Sequence, residues 1–449
     1  MRTLISDIES RLDEPTSKGL AAAVGRAIRD GVLSPGDRLP PIRELAHELT
    51  LSPTTVSAAW GLLTRAGTLR TAGRRGTVVA DTSAPRTGRY QQALEHPTTF
   101  ALDLSTGVPD ASLLPGLGGA LQALTTAGTP HSYLDDPVLP ELHDVLLGSW
   151  PYPPPALTVV DGTMDGLELV LRTTLQYGDR VVVEHPSFPP ILDLLEAVGA
   201  DVVGVPLDDE GLVPDALAAA LTDPVRAIVL QPRAHNPTGV SMSAARAKEL
   251  GALLDRTDVL VIEDDSTSAL GGADPASIGV LLPGQTVHLR SYSKSHGPDL
   301  RLAAMSGPGP LIDEIRHRRQ LGQGWSSRLL QRILLHLLTD PASRGEVDHA
   351  RETYAERRSA FATALALEGV ETGGGDGLNA WVPVLDEAAA LMRLASQGVG
   401  VAPGSPFLVL PDDPHVRVTC GLLDVADIPP VAAAVAAAAR TGGWGSRAR

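Results

Sequence analysis

The sequence predicts an α/β protein in two unequal parts: a small head of short helices closed by a hairpin, and a large body of strands alternating with helices. Three observations carry this reading. At 449 residues the chain is longer than one ordinary domain and fits two or three. Its charge is divided: residues 1–80 hold eleven Lys/Arg against eight Asp/Glu, the remainder 26 against 45, for a total of −16. Beyond about residue 156, apolar runs of strand length alternate with helical periodicity, which marks a parallel, helix-covered sheet.

Composition narrows the classes further. Aromatics make up only 3%, so the core must rest on Ala, Val and Leu. The acids scattered through MRTLISDIESRLDE are unlike a secretory leader, and VAAAVAAAA is too short to span a bilayer. A single cysteine, Cys420, excludes an internal disulfide framework; its place in VRVTC suits a small core residue. These features lead us to expect a cytoplasmic protein with no membrane partner and no metal centre.

In the head, Leu20, Val24, Ala27 and Ile28 share one helical face after a cap at Thr16 or Ser17. Pro41 opens a second helix carrying Ile42, Leu45, Ala46 and Leu49. Ser52-Pro53 supplies an N-cap and a proline at the first position of a third, with Val56, Ala59, Trp60 and Leu63 turned inward. That helix exposes Thr54, Thr55 and Ser57. Two helices with a tight connection, the second opening in small polar residues, have the helix-turn-helix form that enters a major groove. LRTAGRRGTVV then reads as a wing with Arg74 and Arg75 at its tip, where phosphates would be met. A mildly basic head on an acidic body fits a small reader of double-stranded DNA joined to something else. We place it at 1–80, a linker at 81–100 where periodicity is absent, and the body at 101–449.

The body reads as strand LTVVDGT, helix MDGLELVLRTTL, strand RVVVEHPSF, helix ILDLLEAVGA, strand VRAIVLQPRAHNPTG, helix AARAKELGALLDRT and strand VLVIEDD. Ligand groups in such sheets gather at the carboxyl ends of strands, and unusual polar residues occur there. In HLRSYSKSHGPDLR a lysine, Lys294, follows an apolar strand between serines. A lysine that attacks a carbonyl needs a lowered pKa from burial or nearby cations. Ser291, Ser293 and Arg301 would suit a phosphate. Together they describe a site for an aldehyde bearing a phosphate, pyridoxal 5'-phosphate (PLP). The amides of Gly162, Thr163 and Met164 at a helix start would hold that phosphate. Phe188 would stack on a flat ring, Asn236 would bond a ring hydroxyl, and Asp264 would pair with the pyridinium nitrogen.

The run from Gly31 to Val79 resembles the winged helix of GntR-type bacterial regulators, with Pro53 standing where the family usually has arginine. Base reading would then fall to Thr54, Thr55 and Ser57, and phosphate contacts to Arg38, Arg43, Arg74 and Arg75. The order turn, aromatic, Asn, Asp, Lys, Arg over roughly residues 100–440 resembles the fold-type I PLP enzymes of aminotransferase class I/II, with a smaller C-terminal α+β part. With the winged helix ahead of it, the chain resembles the MocR/GabR regulators. STGVPD, YLDDP and GVGVAPGSPF are further matches. The resemblance implies a homodimer in which Tyr133 reaches the phosphate of the neighbouring subunit's cofactor and Arg417 binds a ligand carboxylate. It also implies a tyrosine against the ring oxygen where this chain has Ser266. Two functions remain open: a regulator that senses PLP or an amino compound through an aldimine on Lys294, and a competent aminotransferase with an accessory DNA-binding head.

Overall fold

The structure, a computed structural model, describes residues 2–12, 14–34, 36–65, 68–71, 76–79, 88–94, 100–125, 132 and 135–442. The chain forms two compact units, Met1–Thr87 and Gly88–Arg449.

The head holds helices α1 (Arg2–Glu9), α2 (Ser17–Arg29), α3 (Ile42–Glu48) and α4 (Pro53–Arg65) and the antiparallel pair β1 (Leu69–Thr71) and β2 (Thr77–Val79). Thr16 caps α2 by accepting the Gly19 N–H at 3.0 Å, and Ser52 caps α4 by accepting the Thr55 N–H at 3.0 Å. Each cap satisfies one of the donors a helix start leaves open. Leu20, Val24, Ala27, Leu45, Val56, Ala59 and Trp60 are buried in one core, as their spacing predicts. The first helix was not anticipated. Its signal was present in the 3–4 residue spacing of Leu4, Ile5, Ile8 and Leu12, and Ile5 and Ile8 join the same core.

The body begins with α5 (Arg89–Leu94), inside the stretch 81–100 expected to be a linker. Six residues are too few to show a helical period in sequence, and the helix is held by partners remote in the chain. The Arg89 N–H donates to Asp193 at 2.9 Å, and its guanidinium donates to the Leu408 carbonyl at 3.0 Å. The rest of that stretch, 81–87 and 95–99, lies outside the described residues.

Strand β3 (Leu102–Leu104) follows, then α6 (Gly118–Leu124), α7 (Pro140–Gly148), β4 (Ala156–Val160), α8 (Thr163–Thr174), β5 (Arg180–His185) and α9 (Pro189–Val198). Next come β6 (Asp201–Asp208), β7 (Gly211–Leu212), α10 (Pro214–Ala220), β8 (Ala227–Leu230), α11 (Ala244–Leu254), β9 (Leu260–Asp265), β10 (Thr286–Ser291) and β11 (Ala303–Gly307). The C-terminal part adds α12 (Gly309–Gln320), α13 (Arg328–Thr339), the long α14 (Pro341–Leu367), β12 (Ala380–Pro383), α15 (Glu387–Ser396), β13 (Val399–Pro403), β14 (His415–Val418) and α16 (Ile428–Ala439).

The large sheet runs β4-β11-β10-β9-β8-β5-β6-β7. It is mixed, not wholly parallel as expected: β11 is antiparallel to both β10 and β4, and β7 to β6. The cause is loop length. Parallel neighbours need a crossover of a dozen or more residues, usually a helix, and only residues 292–302, with Lys294 among them, join β10 to β11. Val181, Val183, Val229, Ile262, Val287 and Leu289 pack beneath α8 and α9 in the main core. The smaller sheet, β12-β14-β13-β3, packs against α14, α15 and α16, where Cys420 is a buried free thiol. The VAAAVAAAA run lies in α16, and no described helix is long and apolar enough to cross a membrane.

Candidate functional site

A cavity of about 270 Å³ opens at the carboxyl ends of β4, β8, β9 and β10. Ten of the twelve residues expected around a cofactor and its ligand line it: Lys294, Asp264, Asn236, Phe188, Gly162, Thr163, Met164, Ser293, Arg301 and Arg417. Ser291 is buried behind the wall, where its hydroxyl pairs with that of Ser293 at 2.8 Å. Tyr133 lies outside the described residues.

Lys294 and Asp264 define the chemistry. Lys294 follows the end of β10 and donates to the Gly107 carbonyl. Burial, with the Arg417 guanidinium beside it, pushes its pKa down to about 8, against the pull of Asp264. That gives the amine a usable neutral fraction near physiological pH, as attack on a carbonyl requires. Asp264, in β9, is pushed up to about 6, chiefly by burial, while a hydrogen bond from Gln231 at 2.8 Å opposes the rise. Its Oδ1 is buried without a hydrogen bond, a costly arrangement unless a ligand supplies the donor.

Helix α8 also begins in the cavity wall. Gly162 precedes it with φ +107°, and a Cβ there would sit 3.2 Å from an Arg301 nitrogen, so the position demands glycine. The helix start, the Ser293 hydroxyl and the Arg301 guanidinium form an anion cradle of the kind a phosphate fills. On the third side, Arg417 donates to Asn236 Oδ1 at 3.3 Å and to the Ser105 carbonyl, with its guanidinium 5.3 Å from the Phe407 ring centre. Thr106, Gly107, Val108 and Pro109 complete this wall, in the segment STGVPD. Ser266 also lines the cavity. Sequence reasoning missed Gln231, which contacts Asp264 and the Asn236 backbone; its only sequence signal is its place at the end of β8.

In the head, Thr54 and Ser57 are exposed on α4, Thr55 is half-buried, and Arg38 and Arg43 are exposed. The Thr55 hydroxyl lies 2.8 Å from Ser52 Oγ, inside the cap. Ala58, absent from the expected set, is exposed beside Ser57. Arg74 and Arg75 lie outside the described residues.

Residues 16–79 match the family of bacterial regulatory proteins called gntR, and residues 101–435 match aminotransferase class I and II. The chain is 36% identical to the vitamin B6 salvage pathway transcriptional repressor PtsJ of Salmonella typhimurium, over 94% of this chain and 98% of that one. The chain belongs to the MocR-type regulators. It is 28% identical to the HTH-type transcriptional regulator TauR of Rhodobacter capsulatus, over 89% of this chain and 92% of that one. The fold of its body is that of kynurenine aminotransferase from Pyrococcus horikoshii, with a TM-score of 0.69 at 23% identity over 76% of this chain and 91% of that one. A MocR-type regulator couples a GntR DNA-binding head to an aminotransferase-like body, and the cofactor this body implies is PLP. The cavity fits it: a lysine with a lowered pKa for the aldehyde, a buried carboxylate oxygen lacking a donor for the ring nitrogen, and a glycine-dependent cradle for the phosphate.

Proposed function

We propose that this MocR-type regulator binds operator DNA through α4, the wing and Arg38 and Arg43, and that its body senses PLP at Lys294. When bound, PLP supplies an aldehyde that condenses with amines and a ring that withdraws electrons. Lys294 provides the attacking amine, Asp264 holds a proton at the ring nitrogen, the start of α8 with Ser293 and Arg301 takes the phosphate, and Phe188 and Asn236 bound the ring. The observation that carries the reading is Lys294 and Asp264, the one with its pKa lowered and the other with a free buried oxygen, in one cavity of phosphate-binding character.

Ser266 favours sensing over turnover, because a serine hydroxyl cannot span the distance a tyrosine would to the ring oxygen. PtsJ is described as a repressor of vitamin B6 salvage, and the Corynebacterium glutamicum relative PdxR, 28% identical, as a pyridoxine biosynthesis regulator. Both names support PLP, itself a B6 vitamer, over an amino acid as the effector. The protein would act as a homodimer in the cytoplasm, Tyr133 completing its neighbour's site. A second reading, an aminotransferase with an accessory head, keeps one observation in its favour: Arg417 stands in the cavity wall where a substrate carboxylate would bind.

Adding PLP to the full-length protein should produce a visible absorbance band that borohydride fixes to the chain. Lys294→Ala should remain folded and show no such band. A reducible band persisting in Lys294→Ala would place the attachment elsewhere and remove this reading.

A further inference from the structure

Gln231, the first residue past β8, is 3% exposed and is a hub of four contacts. Its backbone N–H donates to Glu184 Oε2 at 2.7 Å, and its Oε1 accepts the Asn236 N–H at 2.9 Å. Its Nε2 donates to Asp264 Oδ2 at 2.8 Å and lies 3.4 Å from Ser266 Oγ. This set fixes which way the amide points. Only an oxygen can accept from Asn236, so the amide nitrogen must face Asp264. One carboxylate oxygen of Asp264 is thereby tied down, and the other is left without a hydrogen bond in the cavity wall.

We propose that Gln231 is a positioning residue of the cofactor site: its locked amide anchors one oxygen of Asp264 so that the other is presented to the ring nitrogen of bound PLP. This rests on the reading that the cavity takes PLP. The electrostatics show why a donor is needed there. Asp264 is faced by Asp265 on its own strand, Glu184 from β5, His288 from β10 and Lys294 from the loop beyond β10, with the Thr163 hydroxyl at the start of α8. Burial and Asp265 disfavour a charge on Asp264, whereas the Gln231 amide, the Thr163 hydroxyl and His288 favour it. Of these, the Gln231 amide is the one whose direction is locked by a second residue at the cavity wall, Asn236. Glu184, buried and with its pKa raised mainly by desolvation, accepts the Gln231 N–H and so fixes the Gln231 backbone.

The test loads the full-length protein with PLP and titrates its visible absorbance with pH, for the unaltered chain, Gln231→Leu and Gln231→Met. Gln231→Met matches the glutamine in length and loses the amide without adding a charge, so it serves if the leucine variant folds poorly. Without the donor Asp264 draws the ring proton toward itself, the ring loses positive charge, and the Lys294 nitrogen keeps its proton to higher pH. The midpoint should rise by about one pH unit, with PLP held about tenfold more weakly, the size of one hydrogen bond to a charged group. Midpoints equal to that of the unaltered chain would overturn the proposal even where affinity falls, because lost affinity alone marks a merely structural residue. An unaltered chain that takes up no PLP overturns the underlying reading, and this one with it.

Discussion

Thr54, Thr55 and Ser57 share one turn of α4, yet hydrogen bonds and exposure separate their roles. The Thr55 hydroxyl is engaged with Ser52 in the cap and the residue is half-buried, whereas Ser57, two residues on, is exposed. Thr54 is exposed although its hydroxyl also reaches Ser52, at 2.6 Å. Ser57→Ala and Thr54→Ala should therefore change the preference among operator sequences, each by about 1–3 kcal/mol at the affected base pair. Thr55→Ala should instead lower the melting temperature of the head, as loss of a capping contact does. Competition binding with single-base operator variants, beside thermal unfolding, checks both; a changed base preference in Thr55→Ala would reverse the assignment. Lys294 carries a prediction in pH. Only the neutral amine attacks an aldehyde, and burial holds its pKa at about 8. The rate of PLP uptake should fall about tenfold for each unit below pH 8 and level off above it. Stopped-flow absorbance would show the break; a rate indifferent to pH below 8 would contradict it. Residues such as Lys294, Asp264 and Asn236 were legible because their chemistry is unusual at the end of an apolar strand. Gln231 was not, since a place at the end of a strand is a weak signal until the fold brings Asp264 and Asn236 to it.

Among elements, α5 joins features of the body that sequence kept apart. Arg89 ties it to α9 and to the carbonyl of Leu408, and Ala93 packs with Trp381 and Phe407. Phe407 in turn lies under Arg417, and its carbonyl accepts the Ser187 N–H at 2.8 Å, next to Phe188 in the cavity wall. The first helix of the body thus rests on residues packed behind the cavity wall. Arg89→Ala should leave the PLP absorbance unchanged but reduce the effect of PLP on DNA affinity, because the chain leaving the head would lose its hold on this cluster. DNA-binding titrations with and without PLP measure it; an undiminished effect would free α5 of any role in coupling. Elements with strong periodicity, α8, α9, α11 and the Val-rich strands, could be read directly. Short ones such as α5 and β7 could not, because tertiary contacts rather than local pattern form them. The reversed direction of β11 was hidden too, since it depends on the length of a loop and not on the strand's own residues.

At the scale of the whole molecule, the division into a head and a body was only hinted at by charge, and both folds followed from ordered motifs. What the sequence left open is whether the two halves communicate. A ligand shifts DNA affinity only if it favours one arrangement of the molecule over another, with couplings that typically amount to 1–3 kcal/mol. PLP at Lys294 is proposed to be such a ligand. The most direct test is the operator affinity of the full-length protein at fixed salt, measured with and without PLP, for the unaltered chain and for Lys294→Ala. Adding PLP should change the affinity of the unaltered chain at least about fivefold and leave that of the variant unchanged. Equal affinities in the unaltered chain, at a PLP concentration where its absorbance shows the site filled, would contradict it.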